Sequence, residues 1–215
     1  MLERRILLAG IAATMAAPAL AQTAGKERTN DASKDSSMSQ TTGAGTGTMG
    51  DAEQKHMTDT KAVGSMSLLA SRVAVKKVRD DDIKEFAEFE VAEQETMGDV
   101  LMSMMDPSKA TGKSNPPSES EARQHVPQDE QATLQKMEQM EAKEFETAYV
   151  RAQTEGHQKL LRIQEDYLAS GKDPAHINVA KLARGQIKEH LQLLADLHDD
   201  DDKNATTGRS SRVKK

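Results

Sequence analysis

Ile83, Phe86, Glu90, Glu93, Met97, Val100 and Met104 follow one another at steps of three or four residues. An α-helix gathers such a set on one face, whereas a strand scatters it over both. The same spacing joins Val63, Met66, Ala70 and Val73, and again Ala180, Ala183, Ile187, His190, Leu194 and Leu197. Composition agrees with the period. Aromatic residues make up 2% of the chain and Trp is absent, which starves a sheet of the side chains it draws on. Ala, Met, Glu, Gln, Lys and Leu dominate instead, all good helix formers. The fold class predicted is all-α.

Punctuation sets the number of helices. The first is expected over about Asp51 to Val78, with Arg79 to Asp82 as a turn whose acids cap the second helix, about Asp81 to Met105. Asp106-Pro107 stops that helix, and Gly112, Pro116 and Pro117 keep the next stretch irregular. A third helix is expected from about Gln128 to Ser170, and the sequence allows it to break near Glu141 to Lys143. Gly171-Lys172-Asp173-Pro174 ends it and opens a fourth that runs to about Leu197. Two tight turns and one long connection suit an up-down-up-down four-helix bundle over residues 51–198.

The ends read differently. Arg4 and Arg5 precede an apolar run from Ile6 to Ala17, then Pro18 and the small-x-small triplet Ala19-Leu20-Ala21, so residues 1–21 are expected to be an export signal. Arg4-Arg5-Ile6-Leu7-Leu8 also resembles a twin-arginine signal, which leaves the general and twin-arginine routes both open. After cleavage no transmembrane span is expected, because the apolar run is shorter than the ~20 residues a spanning helix needs. Residues 22–50 carry Ser, Thr, Gly, Asp and Lys without an apolar period and are expected to be a flexible linker. Residues 199–215, which open on four consecutive aspartates, are expected to be a disordered charged tail. The net charge of -6 argues against a nucleic-acid partner. With no cysteine, disulfide frameworks and Cys-ligated metal sites are excluded.

Phe86-Ala87, Phe145-Glu146-x-x-Tyr149, His157-Gln158-Lys159 and Glu189-His190-Leu191 stand in an order that resembles a bacterial periplasmic family of undetermined function, often labelled as outer-membrane proteins. The resemblance implies a ferritin-like bundle and covers about Asp51 to His198. Members of that family often carry Glu where Ser67 stands and Asp-His where Glu93-Gln94 stand.

Two glutamates in the seam of the second helix, Glu90 and Glu93, occupy positions that face a core. His190 does the same in the fourth helix, and His157 shares a face of the third with Gln153, Leu160 and Gln164. Counted from the turns, all four come to similar heights along the bundle, with Ser67 level with them. A buried carboxylate needs a partner, water or a cation. Carboxylates with imidazoles suit Fe, Mn or Zn, which makes Glu90, Glu93, His157 and His190 candidate metal ligands. A di-metal set is not expected, because Ile187 stands where a Glu-x-x-His motif needs its acid and the first helix offers no carboxylate at that height. The residues alone favour a hydrogen-bonded Glu–His network over a metal site. His56, His125, His176 and His198 read as isolated, facing solvent or at helix ends. No phosphate loop, nucleophile elbow or zinc-protease motif occurs. The functional expectation is an exported envelope or periplasmic bundle without enzymatic activity, serving a binding, structural or stress role with an envelope partner. The alternative is a metal-binding bundle.

Overall fold

The computed structural model describes residues 49–210, with side chains described as far as residue 197. The expected signal at 1–21, nearly all of the linker at 22–50 and the last five residues of the tail lie outside the described residues. Six α-helices and one 3-10 turn account for the described chain, and no strand occurs among the described residues. They are α1 (Asp51–Lys77), α2 (Asp81–Met105), the 3-10 turn Pro107–Lys109, α3 (Glu119–His125), α4 (Gln128–Gln139), α5 (Ala142–Ser170) and α6 (Pro174–Ser210).

Local chemistry explains the boundaries. Asp80 caps α2, its carboxylate accepting from the backbone N–H groups of Asp82 and Ile83 at 3.1 Å each. Asp173 caps α6 in the same way, accepting from Ala175 at 2.9 Å and His176 at 3.0 Å, with Pro174 in the first turn where its missing N–H costs nothing. Gly171 ends α5 with φ -66 and ψ 150, so no left-handed residue is involved. Its glycine is needed for space, since a Cβ there would run into the Tyr167 ring.

Three elements refine the sequence expectation. The stretch after Pro117 is ordered as α3 by a capping box between Ser118 and Glu121. The long third helix is two helices, parted at Met140 and Glu141, at the break the sequence allowed near Glu141 to Lys143. Helical backbone in α6 continues to Ser210, through the aspartates at 199–202, in a stretch that holds no proline and meets its first glycine at Gly208.

The order of directions also differs. Contacts between α1 and α5 run Glu53 to Tyr167, His56 and Thr60 to Gln164, Ser67 to Gln153 and Ser71 to Tyr149, so numbers rise on one helix as they fall on the other. These two helices are antiparallel, where an up-down-up-down path makes them parallel. The path is up-down-down-up. The α1–α2 turn stands beside the start of α5, where Glu146 accepts from the backbone of Arg79 at 2.6 Å and Asp80 at 3.2 Å. The α5–α6 turn stands at the opposite end, where Glu53 accepts from the Lys172 backbone at 3.5 Å. Residues 106–141 therefore carry the chain back along the bundle, and α3 and α4 fill that crossing by packing on α1. Ala122, Val126, Leu134 and Met137 are buried there against Leu68 and Leu69.

Phe145 and Tyr149, stacked at 5.9 Å, are fully buried at the core's centre, while Phe89 is 52% exposed. Phe145→Ala is expected to cost about 3–5 kcal/mol and Phe89→Ala less than about 0.5 kcal/mol in urea denaturation followed by circular dichroism.

Candidate functional site

Glu90 lies near the middle of α2 and is 0% exposed. It faces His157 from α5 and His190 from α6, both buried. Glu90 Oε2 is 3.0 Å from His190 Nδ1 and 3.3 Å from His157 Nε2, and the two imidazole nitrogens are 3.0 Å apart. Three donor atoms from three helices thus form a triangle. Glu93, the fourth residue expected here, stands outside it. Its half-exposed carboxylate lies 2.9 Å from the far nitrogen of His190, Nε2. Ser67 from α1 reaches the other oxygen of Glu90 at 2.5 Å and stands 2.6 Å from Gln153 Oε1. With a single proton to donate, the hydroxyl serves the charged oxygen.

The outer partners fix which nitrogens carry protons. His157 Nδ1 lies 2.8 Å from the Gln153 carbonyl oxygen, which only accepts, so that nitrogen is protonated and Nε2 presents a lone pair. The Glu93 carboxylate likewise claims the proton on His190 Nε2, leaving Nδ1 as a lone pair in the neutral ring. With both rings neutral the triangle is three lone-pair donors, whereas a charged His190 donates its Nδ1–H to Glu90. Glu90 Oε2 is buried without an aligned hydrogen bond, although two imidazole nitrogens stand close to it.

Electrostatics follow from this crowding. Burial pushes the Glu90 carboxyl upward, but His157, His190 and Ser67 outweigh it and hold the group far below the usual carboxylate range. Burial opposes charge on His190, yet Glu90 and Glu93 prevail and raise it to about 9. At neutral pH His190 therefore holds a proton on each nitrogen, one facing Glu90 and one facing Glu93, and an ion bound at Nδ1 displaces the inner one. Phe86 closes the cluster on one side, its ring edge 5.2 Å from His190 and 6.1 Å from His157 between centroids.

Donor atoms about 2.1 Å from one ion stand about 3.0 Å apart in octahedral and about 3.4 Å apart in tetrahedral geometry. The edges of the Glu90–His157–His190 triangle, 3.0, 3.0 and 3.3 Å, fall in that interval. The residues present therefore fit a divalent ion, with Glu93 and the Gln153 carbonyl in the outer positions that orient metal-bound imidazoles.

A second cluster escaped the sequence reading. His56 and His176 do not face solvent: both are buried, with Nδ1 atoms 3.0 Å apart. His56 Nε2 is 2.7 Å from Gln164 Oε1, and Gln164 in turn donates to Thr60 at 3.1 Å. Tyr167 stacks on His56 at 4.3 Å. The signal was present in part, since His56, Thr60, Val63 and Ser67 share one face of α1, but polar residues there carry no apolar period to reveal a buried stripe. His125 is exposed as expected, and the side chain of His198 lies outside the described residues.

The model of a family described as "Domain of unknown function (DUF4142)" matches residues 38–197. Among solved structures, the chain is similar to a protein from Streptomyces coelicolor provisionally described as "secreted protein DUF305". That match has 15% identity and a TM-score of 0.55, covering 68% of this chain and 91% of the other. At such identity the likeness concerns the fold alone. None of the curated proteins compared with the chain matches it.

The His56–His176 pair makes stability depend on pH. Burial holds both rings below their ordinary value of 6.5, with Glu53 opposing this at both, Asp59 at His56 and Asp173 at His176. The unfolded chain therefore binds protons first as pH falls. Stability from these two groups is complete above about pH 6.5 and is lost as pH drops through their lower folded values. The melting temperature is expected to fall as pH is lowered from that point, and a His56→Gln, His176→Gln double variant is expected to flatten the slope in calorimetry.

Proposed function

The chain belongs to the DUF4142 family, a domain of unknown function, and from that premise we propose that it is an exported helical bundle of the bacterial envelope that holds one divalent transition-metal ion between Glu90, His157 and His190. The observation that carries this reading is the buried triangle of two imidazole nitrogens and one carboxylate oxygen, with Glu90 Oε2 lacking an aligned hydrogen bond. Two imidazoles and one carboxylate suit Fe(II), Mn(II) or Zn(II), and the set of two histidines with one acid on a single face leaves coordination positions open. When bound, such an ion supplies a Lewis acid with room for exogenous ligands.

The protein's own residues do the rest. Gln153 and Glu93 keep both imidazoles in the tautomers that offer lone pairs inward. Ser67 holds the second oxygen of Glu90, so the carboxylate presents a single oxygen to the ion. Phe86 and Tyr149 pack against this assembly from the core side, in edge contact at 6.4 Å. The path with one long crossover supports a ferritin-like arrangement, in which metal sites form between facing helices. Among the described residues only three inward ligands, from α2, α5 and α6, come together, which favours one ion over two.

Export rests on the residues at 1–21 and on the likeness to a protein described as secreted. Among the described residues no helix is long and apolar enough to cross a membrane. The basis for a periplasmic or envelope address is that signal-like start.

Mature protein purified without a histidine tag and loaded with Fe(II), Mn(II) or Zn(II) is expected to retain close to one equivalent of at least one of them by elemental analysis. Glu90→Gln and His190→Ala are expected to abolish retention, while Glu93→Gln weakens affinity about 10–100-fold. Less than about a tenth of an equivalent of every metal in the wild type sinks the proposal and leaves a hydrogen-bonded network.

A further inference from the structure

Beside the two imidazoles lies a cavity with about 20 Å³ of space for the centre of a water molecule. His157 and His190 form part of its wall, Leu160, Ala183 and Ile187 make an apolar side, and Thr60 and Gln164 bring polar groups to it. Its rim is half-buried, formed by Glu93 and Gln94 of α2 and Gln186 of α6. Those two helices pack least closely among the neighbouring long helices, so the cavity opens along their seam. Room for one water needs roughly 10–15 Å³ on this measure, so the space holds little more than one.

A much larger pocket of about 220 Å³ lies next to it, between α1, α2 and α3. Thr60, Gln94 and Met97 line both spaces and so form the wall between them. Gln94 is the long polar side chain in that wall. Its amide oxygen sits against the bare backbone of α1 at Gly64, in a place that a Cβ at that position would take.

We propose that the small cavity is the exogenous-ligand site of the metal centre, that it takes a polar ligand of one to three heavy atoms such as water, peroxide or azide, and that Gln94 is the partition that keeps larger ligands out. This rests on the metal reading above. The site is small: a ligand that fills it beside the two imidazoles also meets Leu160, Ile187 and Gln94. The polar groups on Thr60 and Gln164 favour a ligand that accepts or donates hydrogen bonds over an apolar gas.

The test uses the mature protein loaded with Co(II), whose visible absorption reports a change of ligand. Azide is expected to shift the spectrum, whereas imidazole at the same concentrations leaves it unchanged, a preference of about tenfold or more in half-saturation. Gln94→Ala joins the cavity to the larger pocket and is expected to gain the imidazole response while keeping its cobalt. Gly64→Ala, which dislodges the Gln94 amide from its seat, is expected to do the same and serves if the first variant folds poorly. A wild type that binds one equivalent of Co(II) but ignores azide overturns this inference and leaves the metal reading standing. Imidazole binding to the wild type as readily as azide also overturns it. If no cobalt binds, the metal reading itself fails and this inference falls with it.

Discussion

A fully buried carboxylate governs this bundle. Moving Glu90 out of water without compensation costs several kcal/mol, so the residues around it are constrained to answer its charge. Ser67 from α1, His157 from α5 and His190 from α6 do so, which means every long helix contributes to one point. Hydrophobic seams tolerate sliding by a turn at modest cost, but this meeting point does not. It fixes the register of all four long helices at once.

Order spreads from that point along the axis. The Gln153 amide links Ser67 to Ser71, and Ser71 shares a hydrogen bond with Tyr149 at 2.8 Å. In the other direction Thr60, Gln164, His56 and His176 continue the polar track toward the α5–α6 turn. The chain has three Phe and two Tyr, and Phe86, Tyr149 and Tyr167 border this track. The few large rings are placed where they exclude water from hydrogen bonds, which strengthens each of those bonds.

The helix ends and the acidic positions were legible in the sequence because their signals are local. Asp80, Asp173-Pro174 and the three-four steps of α2 act within a few residues. The direction of α5 was not legible, because it depends on whether residues 106–141 cross the bundle, and no local signal encodes that. Even so, the expected heights of Glu90, His157 and His190 came out level. His157 and His190 are counted from one shared turn, so their levels agree whichever end that turn occupies, and Glu90 moves by less than about two helical turns when its end is exchanged. Glu93 shows the limit of that reasoning. A seam position three residues from Glu90 places it near His190 but on the rim, where it holds the ring's outer proton instead of joining the triangle.

The two buried histidine pairs provide an internal comparison. Both have nitrogens 3.0 Å apart. At His56 the Gln164 oxygen claims the Nε2 proton, so Nδ1 accepts from His176 Nδ1–H, and a single proton completes a neutral pair. No buried side-chain atom of that pair lacks a partner. At His157 and His190 the outer partners claim the far proton of each ring, so when the rings are neutral the facing nitrogens are both lone pairs, and a carboxylate oxygen is added to them. Neutral imidazoles leave that group of three with nothing positive at its centre. A proton on His190 Nδ1 serves one edge of the triangle and leaves the other two without a proton between their atoms. A spherical charge has no such directional restriction. The same residue pair, at the same separation, is therefore complete as a hydrogen bond at one end of the bundle, while at its middle it joins a carboxylate in the triangle on which the proposed metal site rests.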